Sequence, residues 1–272
     1  MKKQSSTAVP ITDDMHGKSD EMVDAVLGVS YSSKNALIKN RASVDTWEVP
    51  LQDIYNNKDV RLDASHYDQE TAAALQVLRR SKYELKPLSE LADVLLPGQF
   101  VRIWAMDKLH GIPYVNATDL MSLTGIGQLS DKTRYLSKQT DTDIDELIIR
   151  NGWILMTCSG TIGRVFYVPE RLDHWVATHD LIRIIPKNPK SVGFLHAYLS
   201  SPIAQKQISG HTHGGQIDHV THHQIGTILV PMVGAEKMAF IHKQTMQALK
   251  LREQAINTLA TIATETAGLI GG

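Results

Sequence analysis

The chain has no run of about 18 consecutive apolar residues, which excludes a hydrophobic membrane-spanning helix. It holds a single cysteine, Cys158, so no internal disulfide can close. Nor is there an excess of positive charge: 28 Lys and Arg stand against 29 Asp and Glu, a net charge of −1. That balance argues against coating nucleic acid by bulk charge, but it leaves room for a reader whose basic residues gather on one face. The start, Met1-Lys2-Lys3-Gln4-Ser5-Ser6, has lysines without an apolar stretch behind them and does not read as a secretory signal. A soluble, cytoplasmic protein is the expectation.

Familiar chemistries are missing too. No G-x-x-x-x-G-K-[ST] loop cradles a nucleotide phosphate, and no G-x-G-x-x-G follows a strand at the head of a helix. There is no Asn-Pro-Pro or Asp-Pro-Pro of the kind amino-methyltransferases use to grip a flipped base, and no G-x-S-x-G elbow. Glu84-Leu85-Lys86 spells the E-x-K half of a nuclease motif without the Pro-Asp that should precede it.

What is present is ordinary globular material, 42% hydrophobic and 21% charged. Residues 1–45 form a polar extension, and 46–87 a leading segment. In that segment Asp68 caps a helix over Tyr67–Leu78 whose Ala72, Leu75 and Leu78 recur on one face. The Lys86-Pro87 step ends that pattern. Residues 88–233 have a different texture, with short Ile- and Val-rich runs between turn residues. Strands are predicted at Gly152–Met156, Arg164–Val168, Leu181–Ile185 and Ile225–Val230. Helices are predicted at Val192–Leu199 and from Pro202. Residues 234–272 carry a long helix, about Ala235–Gly268. Met238, Ile241, Ala248, Ala255, Leu259 and Ile262 make a stripe of spacing 3 and 4, interrupted at Thr245 and Arg252. The fold class is α+β, one domain followed by a long C-terminal helix that seeks a partner.

Three local features carry chemistry. His211, His213, His219, His222 and His223 are close in sequence, and they read as polar loop residues, nucleic-acid contacts or metal ligands. The consecutive His222 and His223 should point to different sides of a regular element. In Gly210–Gln216 the glycines would let His211, His213 and Gln216 approach a partner, and Gln suits adenine in the major groove. Ser159-Gly-Thr-Ile-Gly163 reads as a glycine turn joining two strands, with Cys158 as a small buried filler. Lys132, Arg134 and Lys138 form a sparse basic cluster.

The run Gly152-Trp-Ile-Leu-Met-Thr-Cys-Ser-Gly-Thr-Ile-Gly-Arg164-Val resembles the core pattern of type I restriction–modification specificity subunits. Three further pieces agree in order and spacing. Arg61-Leu-Asp-Ala-Ser-His-Tyr67-Asp is similar to the lead-in, and Gly111-Ile-Pro-Tyr-Val-Asn-Ala-Thr-Asp-Leu120 to a "P-Y-hydrophobic" strand. Ile225-Gly-Thr-Ile-Leu-Val-Pro231 is similar to the strand that closes the domain. The chain departs from the family at Trp153, where Asp is usual, at Asn116, where Arg is usual, and after Pro231.

The resemblance implies a half-subunit with one target-recognition domain, 88–233, and a spacer or dimerisation helix, 234–272. It further implies a non-catalytic chain without a cofactor that reads half of a split DNA target. The partners it implies are DNA, an adenine methyltransferase subunit, a restriction or translocase subunit, and a second copy or another half-subunit; no membrane is implied. Lys132, Arg134, Lys138, Lys206, His211, His213 and Gln216 are the residues expected near DNA. The alternatives are a metal-dependent hydrolase using the 211–223 histidines, and a protein- or RNA-binding adaptor of a defence complex.

Overall fold

A computed structural model describes residues 69–124, 133–139, 143–211 and 219–271. The first helix, α1 (Gln69–Arg80), has Glu70 in its first turn and Arg79 and Arg80 in its last, each sign set against the helix dipole. The predicted cap, Asp68, lies outside the described residues, as do Lys132, His213, Gln216 and the Arg61–Asp68 lead-in.

The strand β1 (Leu85–Pro87) contains the Lys86-Pro87 step and pairs antiparallel with β10 (Leu229–Pro231), placing Leu85 opposite Pro231. After a single helical turn, α2 (Leu88–Leu91), comes β2 (Ala92–Leu95), the edge of an antiparallel sheet ordered β2-β9-β6-β7. Its other strands are β6 (Ile154–Thr157), β7 (Val165–Tyr167) and β9 (Leu181–Pro186), where three of the four predicted strands were placed. Every residue of β6 is buried, so both faces of this sheet are covered and the run is continuously apolar rather than alternating.

The second four-stranded sheet, ordered β3-β5-β4-β8, comprises β3 (Trp104–Ala105), β4 (Gly111–Val115), β5 (Arg134–Ser137) and β8 (Val176–Ala177). Only its β4–β8 pair is parallel. Leu155, Phe166 and Leu181 of the first sheet share one apolar cluster with Val115 and Ala177 of the second, so the main core joins the two sheets. Helix α3 (Ala117–Thr124) leaves β4 behind a reciprocal cap. Asp119 N–H donates to Asn116 Oδ1 at 2.8 Å, and Asn116 N–H donates to Asp119 Oδ2 at 3.1 Å.

The Ser-Gly-Thr-Ile-Gly element is the β6–β7 turn. Gly160 and Gly163 take φ of 67° and 84°, which side chains rarely tolerate. A Cβ on Gly163 would also stand 2.7 Å from Gln205 Oε1, whose amide nitrogen donates to the Gly163 carbonyl at 2.9 Å. Gln205 belongs to α5 (Pro202–His211), which follows α4 (Val192–Leu199). Helix α1 packs on α5, where Thr71 Oγ1 donates to the Lys206 carbonyl at 3.2 Å.

The fourth predicted strand, Ile225–Val230, is corrected. Residues 222–226 form α6 (His222–Gly226), and only Leu229–Pro231 is strand. Thr221 caps that helix and Gln224 reaches back to the Thr221 N–H at 2.9 Å, a capping box that prevails over the β-propensity of Ile225. The long helix, α7 (Ala235–Gly271), runs past its predicted end at Gly268. Within the chain it packs on α4 and the Pro189–Ser191 turn. The buried face also differs from the predicted stripe. Leu249 and Ile256 are buried. Of the predicted stripe Met238, Ile241 and Ala255 are partly buried, as are His242, Thr245 and Arg252, whereas Ala248, Leu259 and Ile262 are exposed.

Candidate functional site

A pocket of about 310 Å³ opens beside the second sheet, where β4, β5 and the start of α3 meet the Thr178–Asp180 turn. Tyr114, 3% exposed, forms part of its wall, and Trp104 packs edge-on against it at 5.0 Å between ring centroids. Antiparallel register sets Arg134 directly across from Tyr114. Its guanidinium lies 5.0 Å from the Trp104 ring and 5.5 Å from that of Tyr114, within cation–π range of both. Arg134 Nη2 donates to Asp119 Oδ2 at 3.0 Å, so the carboxylate fixed by the α3 cap also fixes the arginine.

Arg102 mirrors this arrangement on the other side. Its guanidinium sits 6.0 Å from both the Phe100 and Tyr114 rings. Arg102 Nη2 donates to Thr178 Oγ1 at 3.2 Å and lies 3.7 Å from Asp180 Oδ2. Thr178 Oγ1 in turn donates to Asp180 Oδ2 at 3.1 Å, and the Thr178 N–H is held by the Val115 carbonyl at 3.0 Å.

Beneath that turn is Arg183, 2% exposed, on β9. It donates to the carbonyls of Thr178 and Ala177 at 2.8 Å each, to that of Leu147 at 3.3 Å, and to that of Leu181. Burial lowers its pKa to about 10, so it stays charged at neutral pH and grips the backbone that forms the pocket wall. Cys158 is buried beside it, and burial followed by the Asp180 charge pushes its thiol up to about 11. A thiol held protonated is a filler rather than a nucleophile.

Of the residues expected near DNA, Arg134 lines the pocket and Lys138 leaves the same strand, its Nζ donating to the Leu109 carbonyl at 3.2 Å. Lys206 is ion-paired with Glu70 across the α1–α5 contact. His211 ends α5, with Nε2 3.3 Å from Thr227 Oγ1. His219, where the described chain resumes, forms a bridge with Ser159, which lines the pocket rim. Sequence reasoning missed Arg102, Trp104, Tyr114, Asp119, Thr178 and Asp180. A signal was there, since Arg102 and Trp104 alternate as one face of an extended segment would require.

His222 and His223 do not point apart, as expected, but lie 4.0 Å ring to ring. They are on a helix, where consecutive side chains diverge by about 100° rather than 180°. Burial, then the neighbouring His223, lowers the His222 pKa. Among the described residues no three His, Cys, Asp or Glu side chains converge as metal ligands, and the hydrolase reading receives no support. No helix among them is long and apolar enough to cross a membrane.

The family described as "Type I restriction modification DNA specificity domain" matches residues 81–259, about two thirds of the sequence. No curated protein matches the chain. Among solved structures, the S subunit of the type I restriction–modification system from M. genitalium is 14% identical with a TM-score of 0.40; the match covers 68% of this chain and 43% of that one. The HsdS subunit from Thermoanaerobacter tengcongensis is 14% identical with a TM-score of 0.43, covering 71% and 46%. The type IIG restriction endonuclease BpuSI is 11% identical with a TM-score of 0.46, covering 79% and 32%. The matched part is less than half the length of each of these three solved chains.

Proposed function

The chain belongs to the type I restriction modification DNA specificity domain family, and from that premise we propose that it is the sequence-reading component of a restriction–modification complex. The observation that carries this reading is that the family match, residues 81–259, contains every residue lining the arginine–aromatic pocket. Base edges are read by donors and acceptors held rigidly at a surface, and the pocket presents such groups on one sheet, a capped helix and the Thr178–Asp180 turn.

In this reading the chain carries out no chemistry. Arg134 and Lys138, with Arg102 beside them, face the DNA; Lys132, Lys206, His211, His213 and Gln216 remain proposed contacts around them. An adenine methyltransferase subunit holds the methyl donor and flips the target base, and a restriction or translocase subunit joins the same assembly. The exposed Phe240, Leu251, Leu259, Ile262 and Leu269 of α7 give those partners, or the helix of a second copy, an apolar surface to cover. Pairing of two copies would match a two-part DNA target.

The test is to purify the tagged full chain from its own cells and identify what accompanies it by mass spectrometry. Co-purification of an adenine methyltransferase is the expected result. Transfer of labelled methyl groups to DNA by the isolated chain would overturn the non-catalytic reading.

A further inference from the structure

Four charges meet at the pocket, and they cancel in pairs. Arg134 is 3.0 Å from Asp119, and Arg102 is 3.7 Å from Asp180. This matters for what the arginines can hold. A phosphate brings its own negative charge and would be repelled by both carboxylates, so a phosphate clamp would leave its guanidiniums uncompensated. A neutral group with strong acceptors suits the site better.

The donors point to the same class. In each arginine the carboxylate-side contacts engage Nη2, and Nε and Nη1 have no partner among the described residues. The aromatic rings and the carboxylates hold the guanidinium planes, so little rotamer freedom remains to be lost on binding. The parallel donor pairs of a guanidinium are Nε–H with Nη2–H and Nη1–H with Nη2–H. Nη2 carries a second N–H besides the one already bonded, so one such pair in each arginine can meet an edge with two adjacent acceptors. In the major groove only guanine offers that pair, O6 and N7. Adenine asks for a donor and an acceptor together, as from Asn, but the Asn116 side-chain oxygen already accepts from the Asp119 N–H at 2.8 Å. Cytosine presents a donor, N4, and the two carboxylates near it are turned to the arginines.

We infer that Arg134, and beside it Arg102, read guanine bases of the DNA target in the major groove. This rests on the DNA-reading function proposed above. Asp119 and Asp180 are positioning residues: they orient the arginines and discourage phosphate.

The experiment uses the full chain and a pool of randomised duplex DNA, selected through repeated rounds for binding. The expected site contains at least one invariant G·C pair. Replacing that guanine by 7-deazaguanine, which lacks the N7 acceptor, should weaken binding of the unaltered protein about 10-fold or more. Replacing it by hypoxanthine, which keeps O6 and N7, should change binding less than about two-fold, because only the minor-groove amino group is lost. Arg134→Ala or Arg102→Ala should abolish the preference at one position while other positions stay selected, and Asp119→Asn should weaken it. The base-analogue arm needs no variant, so misfolding of a substituted protein does not shield the inference. A selected site without an invariant G·C pair, or indifference to 7-deazaguanine, would overturn guanine reading and leave DNA recognition standing. If no sequence is enriched at all, the underlying DNA-reading function fails.

Discussion

Gly193 of α4 lies directly beneath His242 of α7: its N–H donates to His242 Nδ1 at 3.1 Å, and a Cβ placed on it would stand 2.6 Å from the His242 carbonyl oxygen. Only glycine permits this approach. On helix propensity alone, Gly193→Ala should stabilise by about 1 kcal/mol. Here the added methyl meets backbone, and pushing the helices apart should cost about 1–3 kcal/mol net. The check is a thermal melt followed by circular dichroism, with a midpoint several degrees below that of the unaltered chain. A higher midpoint would show that the seam is not this close.

The long helix has two faces with different work. Leu249 and Ile256 are 6% and 3% exposed against the domain, and Arg171 Nε reaches Glu253 Oε2 at 2.6 Å alongside them. Leu249→Ala or Ile256→Ala should destabilise the whole domain by about 2–5 kcal/mol in urea unfolding.

Leu259 and Ile262 are 44% and 52% exposed. Leu259→Glu with Ile262→Glu should leave the melt unchanged and prevent assembly, as read by light scattering of the chain mixed with its partners. Unfolding of that double variant, or normal assembly by it, would contradict the division of faces.

The existence of α7 was legible because 37 residues without an interior Pro leave few alternatives to a helix. Its buried face was legible only in part, since Met238, Ile241 and Ala255 of the predicted stripe are partly buried. The a/d-like stripe through Ala248, Leu259 and Ile262 is what an isolated helix pair would bury. Packing on the short α4 instead selects positions near His242, Leu249 and Ile256, one residue away in phase, and takes in the polar Thr245 and Arg252. Strands β6, β7 and β9 were legible because each is a short Ile- and Val-rich run closed by turn residues. The pocket was largely hidden. Arg102 and Thr178 are 76 residues apart, and Arg134 meets Asp119 only through the β4–β5 register and the α3 cap. No local pattern announces such a meeting, whereas basic clusters and histidine runs do stand out in a sequence.

Arg183 should be the most sensitive single position under the pocket. Replacing it by Met keeps much of the volume but leaves the carbonyls of Thr178, Ala177, Leu181 and Leu147 without this partner. Unpaired buried acceptors cost about 1–3 kcal/mol each where water cannot replace the donor. Arg183→Met should therefore lower stability by several kcal/mol and loosen the turn that carries Thr178 and Asp180. Urea unfolding gives the first effect and loss of sequence discrimination on DNA the second. Unchanged stability would mean that water or a rearranged backbone satisfies those carbonyls.

His196 supplies a pH dependence whose sign can be worked out. It lies on α4 against α7, and burial, then the nearby Arg252 guanidinium, lowers its pKa from 6.5 to about 4. Glu253 and Arg171 are paired close by on the same seam. In the unfolded chain the imidazole takes its proton near pH 6.5, while in the folded chain it stays neutral until about pH 4. Between those values the unfolded state binds the extra proton, so stability falls as the pH falls and rises as it is raised. At pH 5 the unfolded form would have gained roughly 2 kcal/mol from this residue, and the loss would be complete below about pH 4. His196→Leu removes the titration and keeps the site apolar. Urea unfolding at pH 7.5 and pH 5 should show the unaltered protein losing roughly 2 kcal/mol more than the variant. Acidic groups that titrate over the same range are common to both proteins and cancel in that difference. Equal losses would mean that His196 is solvated or paired in solution, and a larger loss for the variant would reverse the sign derived from its burial.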